Sequence, residues 1–299
     1  MNEKNITVQV SSDVARLHEV VVGPVKPFRL TGLAPEFAET AGLTVDEIEA
    51  EVFERLPIQQ QDLVTAIIQH EQLVALLASH GVTIHWAQPA AALIQLHTRD
   101  LGFVIDDLYI SARPSSIHRR SELAGLAWLL PRLSKTRELT DGHIEGGDVL
   151  VTDDDILVGI SGATNTDGLT ALRATLAAEG INRQVVPLTF AHSGVVHLND
   201  HFTMAGAGVG LFNPVAFTRK SRLYLESRFN LIEVTTDEAR QCAVNTLALA
   251  PNRLIVQATD ERLAAEVHSR GITPIPIDYS AITLFTKGIH SSVLPLVRG

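Results

Sequence analysis

Four short segments carry polar groups at matching places, each at a strand end beside an apolar stretch. They are Asp100 in His97-Thr98-Arg99-Asp100, Glu145 in Gly142-His143-Ile144-Glu145-Gly146-Gly147-Asp148, His197 in Val195-Val196-His197-Leu198-Asn199-Asp200, and Ser291 in Ile289-His290-Ser291-Ser292. If equivalent ends of a repeat point to one axis, two carboxylates, an imidazole and a hydroxyl meet in one pocket. Paired carboxylates in a closed pocket are costly unless a cation neutralises them. A planar guanidinium, with its fork of N–H donors, suits two carboxylates well. The chemistry these residue types support is therefore recognition of a guanidino ligand. The Glu-Gly-Gly-Asp step is the most specific of the four, because two glycines leave room for close approach of backbone and ligand. Each segment has a plainer counterpart: a glycine turn with Glu145 solvated, Asp100 as a turn or cap residue, His197 as a satisfied core histidine, and Ser291 with no special part.

The elements that must position these groups recur. A buried strand at Val20–Gly23 precedes a long helix, Asp62–His80, whose apolar residues Leu63, Ala66, Ile67, Leu73, Val74 and Leu77 follow helical spacing up to Gly81 at the C′ position. Strand Val82–Trp86 follows. A hairpin at Gly102–Ser111 turns at Asp106-Asp107, and a helix is expected near Arg119–Leu130. Asp148–Ser161 reads as two strands around Asp153–Asp155, then a helix near Asp167–Gly180 and strand Gln184–Pro187. A third hairpin spans Val195–Leu211, and a helix is expected from Thr236 to about Leu247. Strand Leu254–Ala258, helix Asp260–Arg270, strand Thr273–Ile277 and a final strand Ser291–Val297 complete the order. Strand–strand–helix–strand modules thus repeat about five times, and such repeats commonly close around an axis.

Composition narrows the classes. The chain has 299 residues, a formal net charge of −10, 45% hydrophobic and 19% charged residues. That length supports a large core. The acidic balance, without a Lys/Arg cluster, argues against nucleic acid or an anionic membrane as partner. Cys242 is the only cysteine, which excludes an internal disulfide and zinc–thiolate sites. Mid-helix in Glu238–Leu247, it reads as a buried small residue. No apolar leader and no membrane-length apolar run is present, so a cytoplasmic protein is expected. A metal site from His143, His192, His197 and His201 lacks zincin spacing. Gly206-Ala-Gly-Val-Gly210 lacks the third glycine of a dinucleotide loop. A Ser-His-Asp hydrolase built on Ser291 lacks the nucleophile elbow.

Together the segments resemble the pentein superfamily of guanidine-modifying enzymes, in particular arginine deiminases and dimethylarginine dimethylaminohydrolases. The resemblance runs through Arg16–Gly23, Thr98-Arg99-Asp100, Glu145–Asp148, Gly159–Asn165, His197-Leu198 and Gly288–Pro295. The chain's size and His197-Leu198-Asn199 place it nearer the dimethylarginine branch. The resemblance implies a five-bladed α/β propeller of ββαβ modules, as a single domain over residues 1–299, with Phe28–Pro57 as a lid or a surface excursion. It implies a covalent mechanism without metal or organic cofactor. Glu145 and Asp100, with Asp106, would hold and polarise the guanidinium; a cysteine thiolate would attack its carbon; His197 would serve as acid, then base. The expected reaction is hydrolysis of a C–N bond, giving a ureido product and ammonia or an alkylamine. Amidino transfer is the alternative reaction. The expected partner is a small guanidino molecule, and a homodimer stays open.

Two positions depart from the family. The nucleophile position just after the last glycine turn reads Ser291, with Ser292 beside it as the alternative alignment, and a serine hydroxyl is far harder to ionise than a thiol. The chain is therefore either an inactive Cys→Ser variant of an amidinohydrolase or a natural non-catalytic relative that binds a guanidino ligand. Ala163 stands where related enzymes have an arginine that holds the substrate carboxylate. Arg119 or Arg120, with Arg113 beside them in the same segment, must take over that role, or the ligand lacks an α-carboxylate.

Overall fold

The computed structural model describes residues 5–25, 60–90, 95–284 and 287–299. The Phe28–Pro57 segment lies outside them.

Chain order generates five small sheets. The first begins with β1 (Gln9–Val10) and β2 (Leu17–Val22), crosses through α1 (Gln60–Ser79) and returns in β3 (Thr83–Trp86). The second holds β4 (Gly102–Ile105) and β5 (Leu108–Ser111), the short helix α2 (Ile117–Glu122) and β6 (Thr136–Glu138). The third is β7 (Val149–Val151), β8 (Asp155–Ile160), α3 (Thr166–Ala178) and β9 (Gln184–Thr189). The fourth is β10 (Phe202–Gly206), β11 (Val209–Phe212), α4 (Arg219–Arg228) and β12 (Asn230–Glu233). Helix α5 (Thr236–Arg240) leads to the fifth: β13 (Leu247–Ala250), β14 (Arg253–Gln257), α6 (Glu261–Ser269) and β15 (Thr273–Ile277). Strand β16 (Val293–Arg298) then lies antiparallel to β2, pairing Val293 with Val22, so the first sheet is built from both ends of the described chain. In each of the other four sheets the first pair is antiparallel and the second, across the helix, is parallel. This is the ββαβ module of a five-bladed α/β propeller.

Local sequence explains the elements. Leu63, Ala66, Leu73 and Leu77 form the buried stripe of α1 and join Val20 and Val22 in one apolar cluster. Gly81 ends that helix at φ +81°, where a Cβ would be strained. Asp106 occupies the left-handed region at φ 50° in the tight β4–β5 turn, a conformation Asp tolerates better than most residues. Asn165 caps α3, its side chain accepting from the Gly168 N–H at 2.9 Å.

Three expectations are corrected. The helix expected over Arg119–Leu130 is helical only to Glu122, and tighter turns at Leu123–Leu126 and Leu130–Arg132 follow, ending around Pro131. The helix expected from Thr236 to Leu247 stops at Arg240. Cys242 takes φ 61°, and the apolar residues that mimicked helical spacing enter β13, where Leu247 pairs with Ile255. Cys242 is thus a half-buried turn residue, its thiol pushed up to about 12 chiefly by burial. The Val195–Leu211 hairpin begins only at Phe202 and turns at Gly208, so the stretch carrying His197 is a loop entering a tight turn.

Candidate active site

The polar groups sit on short turns that precede the first strand of a blade. Residues Thr98–Leu101 precede β4, Gly146–Asp148 precede β7, Leu198–Asp200 precede β10, and His290–Ser292 precede β16. Hydrogen bonds tie these turns together. Thr98 Oγ1 lies 3.0 Å from the Val21 carbonyl and 3.1 Å from that of Ser292. Asp148 accepts from the Leu198 N–H at 2.9 Å and from Ser161 Oγ at 2.6 Å. Thr164 Oγ1 accepts from the Glu145 N–H at 3.2 Å, so the Gly159–Asn165 segment buttresses the acid.

Asp100, Glu145 and His197 converge from three blades, all buried, with one ligating atom of each within 4.8 Å of the others. His197 Nε2 lies 2.9 Å from Glu145 Oε2, and its Nδ1 lies 3.9 Å from Asp100 Oδ1. Arg119, from α2, completes the group. It contacts Asp100 Oδ2 at 3.0 Å and Glu122 Oε1 at 3.4 Å, and its Nε is 4.0 Å from Glu145.

Lys287 and Asp200 join from below. The Lys287 ammonium lies 2.6 Å from His197 Nδ1 and 2.5 Å from Asp200 Oδ2. Two cations at that separation would repel, so one proton lies along the Lys287–His197 contact. Lys287 holds it: burial opposes its charge, but Asp200 and Asp100 outweigh burial and push its proton affinity up. Along this contact Nδ1 of His197 accepts and Nε2 donates to Glu145. Burial also works against an imidazolium at His197, yet the Asp100 carboxylate and the Glu145 hydrogen bond raise its proton affinity overall, with Lys287 opposing them.

The remaining carboxyls divide by environment. Burial would neutralise Asp100, but positive charge around it, from His197 when protonated, Arg119 and Lys287, holds it down at about 2. Glu122 is pushed up to about 9, mainly by burial, and is a neutral acid near pH 7. Burial likewise pushes Asp148 up to about 7.

Ser291 is fully buried on the neighbouring turn. Its Oγ accepts from Asn199 Nδ2 at 3.1 Å and Asn245 Nδ2 at 3.0 Å, and its N–H donates to Asn245 Oδ1 at 2.9 Å. The route from Ser291 to His197 runs through Asn245, Asp200 and Lys287, because Asn245 Nδ2 also donates to Asp200 Oδ1 at 3.0 Å. None of the hydrogen bonds described at its Oγ comes from a base.

Two expected site residues lie elsewhere. Asp106 is at the far end of β4 from Asp100, roughly 13 Å of strand away at about 3.3 Å per residue; it pairs with Arg183 at 2.9 Å instead. Arg120 points away from Arg119, since adjacent helical residues do not share a face. Its guanidinium folds back onto the carbonyls of Pro114 at 2.8 Å and Ser115 at 3.3 Å. Sequence reasoning did not single out Lys287, Asn245 or Glu122. Asn245 had a usable signal, because it stands two residues before a blade's first strand, as Asp100 and Asp200 do. Lys287 and Glu122 had none.

The Asp100–Glu145–His197 group has the donor types of a metal site. Arg119 and Lys287 already bring positive charge onto the same atoms, which opposes a divalent ion there. His201 bonds Asn213 at 3.1 Å rather than joining His197.

Fold and site together define a pentein. The arginine deiminase family model matches residues 118–210. The chain is 30% identical over 238 residues to the uncharacterised protein YkgA of Bacillus subtilis (strain 168), covering 79% of this chain and 81% of that one. It is 27% identical over 216 residues to the N(G),N(G)-dimethylarginine dimethylaminohydrolase of Streptomyces coelicolor, covering 71% and 79%. Among solved structures, SxtG, an amidinotransferase of the saxitoxin biosynthetic pathway from Microseira wollei, superposes with a TM-score of 0.80 at 17% identity, covering 97% of each chain. The chain belongs to the pentein superfamily, whose arginine-deiminase-like and dimethylarginine dimethylaminohydrolase-like members modify guanidino groups. Among the described residues no helix is long and apolar enough to cross a membrane.

Proposed function

We propose that this chain binds a guanidino compound at the Asp100–Glu145–His197 cluster and, with serine at position 291, does not turn it over. The observation that carries the reading is the convergence of two buried carboxylates and an imidazole from separate blades. In this cluster three carboxylates, Asp100, Glu145 and Asp200, face the cations Arg119 and Lys287. That leaves negative charge for a flat delocalised cation, whose parallel N–H groups match a carboxylate fork.

The absence of turnover follows from Ser291. Its hydroxyl is held by two carboxamides, and both ring nitrogens of His197 are engaged by Glu145 and Lys287. A neutral hydroxyl without a base is a poor nucleophile. With cysteine at 291 the reading we favour is a C–N hydrolase. A thiolate at 291 would add to the guanidinium carbon. The C–N bond to the leaving amine would then break as His197 supplies its proton. Water deprotonated by His197 would next displace the sulfur and release a ureido product. Lys287 would have to leave His197 for that role.

The test has two arms. Calorimetric titration with arginine, its N-methylated forms and agmatine is expected to show saturable binding to the native chain that Glu145→Gln abolishes. Ammonia or alkylamine release is expected to be undetectable in the native chain and measurable in Ser291→Cys. Folded protein that binds none of these guanidino compounds would overturn the proposal. Native turnover comparable with the cysteine variant would overturn its non-catalytic part.

A further inference from the structure

We infer that Arg119 is a built-in occupant of the guanidinium subsite, which an incoming guanidino ligand must displace. This rests on the reading of the site given above and adds how access to it is controlled.

Arg119 presents the same chemical group as the proposed ligand to the same acids. Its Nη2 lies 3.0 Å from Asp100 Oδ2 and 3.4 Å from the His97 carbonyl, and its Nη1 lies 3.4 Å from Glu122. Arg119 holds Asp100 Oδ2 and lies 4.0 Å from Glu145, between the two acids, so a second guanidinium cannot fork across both while Arg119 stays. Binding is therefore an exchange.

The occupant fits imperfectly. Arg119 Nε, Asp100 Oδ1 and Glu122 Oε2 are buried without a hydrogen-bond partner among the described residues. Arg119 Nε stands 4.0 Å from Glu145, too far for a hydrogen bond. Buried polar atoms left unpaired are costly, so a guanidinium free to orient both N–H edges has bonds to gain that Arg119 does not make. The tether explains the misfit. Arg119 belongs to a helix of six residues, and Ser116 at its N-cap position makes no side-chain cap bond. The Arg119 side chain is 19% exposed, against 1% for Asp100 and 4% for Glu145, so of these three groups it is the one that reaches toward solvent. A ligand that binds only when Arg119 is out has its affinity reduced by the fraction of molecules in which Arg119 is in.

The test uses methylguanidine, a guanidinium with no carboxylate that Arg119 might hold. Arg119→Gln is expected to bind it at least tenfold more tightly than the native chain, and to gain the larger rise in thermal midpoint when it is added. Equal or weaker binding by Arg119→Gln overturns the inference. Should that variant fail to fold, Arg119→Lys replaces it: a single ammonium cannot fork across the acids, so tighter binding than native is still expected, and equal or weaker binding overturns the inference. Methylguanidine binding that Glu145→Gln abolishes but Arg119→Gln leaves unchanged removes the occupant and keeps the site. Binding to none of the folded variants removes both.

Discussion

Glu122 carries its proton in the folded chain because burial disfavours the carboxylate more than Arg119 favours it. Its ordinary value is 4.5 and its folded value about 9. Between them the folded state binds more protons than the unfolded state. Its contribution to stability is therefore complete below 4.5 and falls as pH rises toward 9. Glu122→Gln is expected to flatten that fall, and urea denaturation of both proteins at several pH values checks it. A slope identical to the native one would contradict the neutral acid. Asn245 is the residue that locks Ser291, giving and accepting hydrogen bonds at once. Asn245→Ala leaves buried partners unpaired and is expected to cost about 1–3 kcal/mol in the same denaturation experiment. At this scale the sequence exposed only residues whose type is unusual for their surroundings. Asp100, Glu145 and His197 stand at strand ends beside apolar stretches and could be read. Glu122 and Lys287 look like ordinary surface charges until the fold buries them, and Asp106 looked like a site acid until a strand's length separated it from Asp100.

The elements that make the site are short turns rather than helices or strands, and their glycines show it. A Cβ at Gly146 would strike the carbonyl oxygens of Arg99 and Gly102, which are backbone and cannot give way. A Cβ at Gly147 would strike the Asp100 carboxylate and lie 3.0 Å from the His197 ring. Gly146→Ala is therefore expected to destabilise the fold, by roughly 1–3 kcal/mol. Gly147→Ala is expected to leave the fold in place and weaken guanidino binding by about tenfold or more. Thermal melts and calorimetry separate the two outcomes. The sequence made the hairpins and α1 legible, because periods of 2 and 3.6 are strong there. It misjudged the stretch after Thr236, where Ala243, Val244 and Leu247 satisfy helical spacing but are buried in a turn and a strand. It did not show α4 or β12, since the Arg219–Arg228 segment is too polar to display a stripe. Pairing with β11 and packing of Leu225 decide those elements, and both are tertiary.

Across the molecule, the four turns of the site are held in one place by bonds between blades. Arg99 is the clearest link. It pairs with Asp13 through two contacts of 3.2 Å and donates to the carbonyls of Gly146 at 3.2 Å and Val149 at 2.6 Å. Both partners of that pair are almost wholly buried. Arg99→Met strands the Asp13 carboxylate and is expected to cost about 3–5 kcal/mol, measured by denaturant unfolding. A loss below about 1 kcal/mol would show that the blades are aligned by apolar packing alone. The recurring module revealed the architecture at this scale, although neither the paths of these cross-links nor the presence of Arg119 on the acids could be read from spacing. The most direct measurement is a crystal structure grown with saturating agmatine. The expected density places its guanidino group between Asp100 and Glu145, with Arg119 turned outward. An unchanged cluster, with the ligand elsewhere or absent, would contradict the central claim.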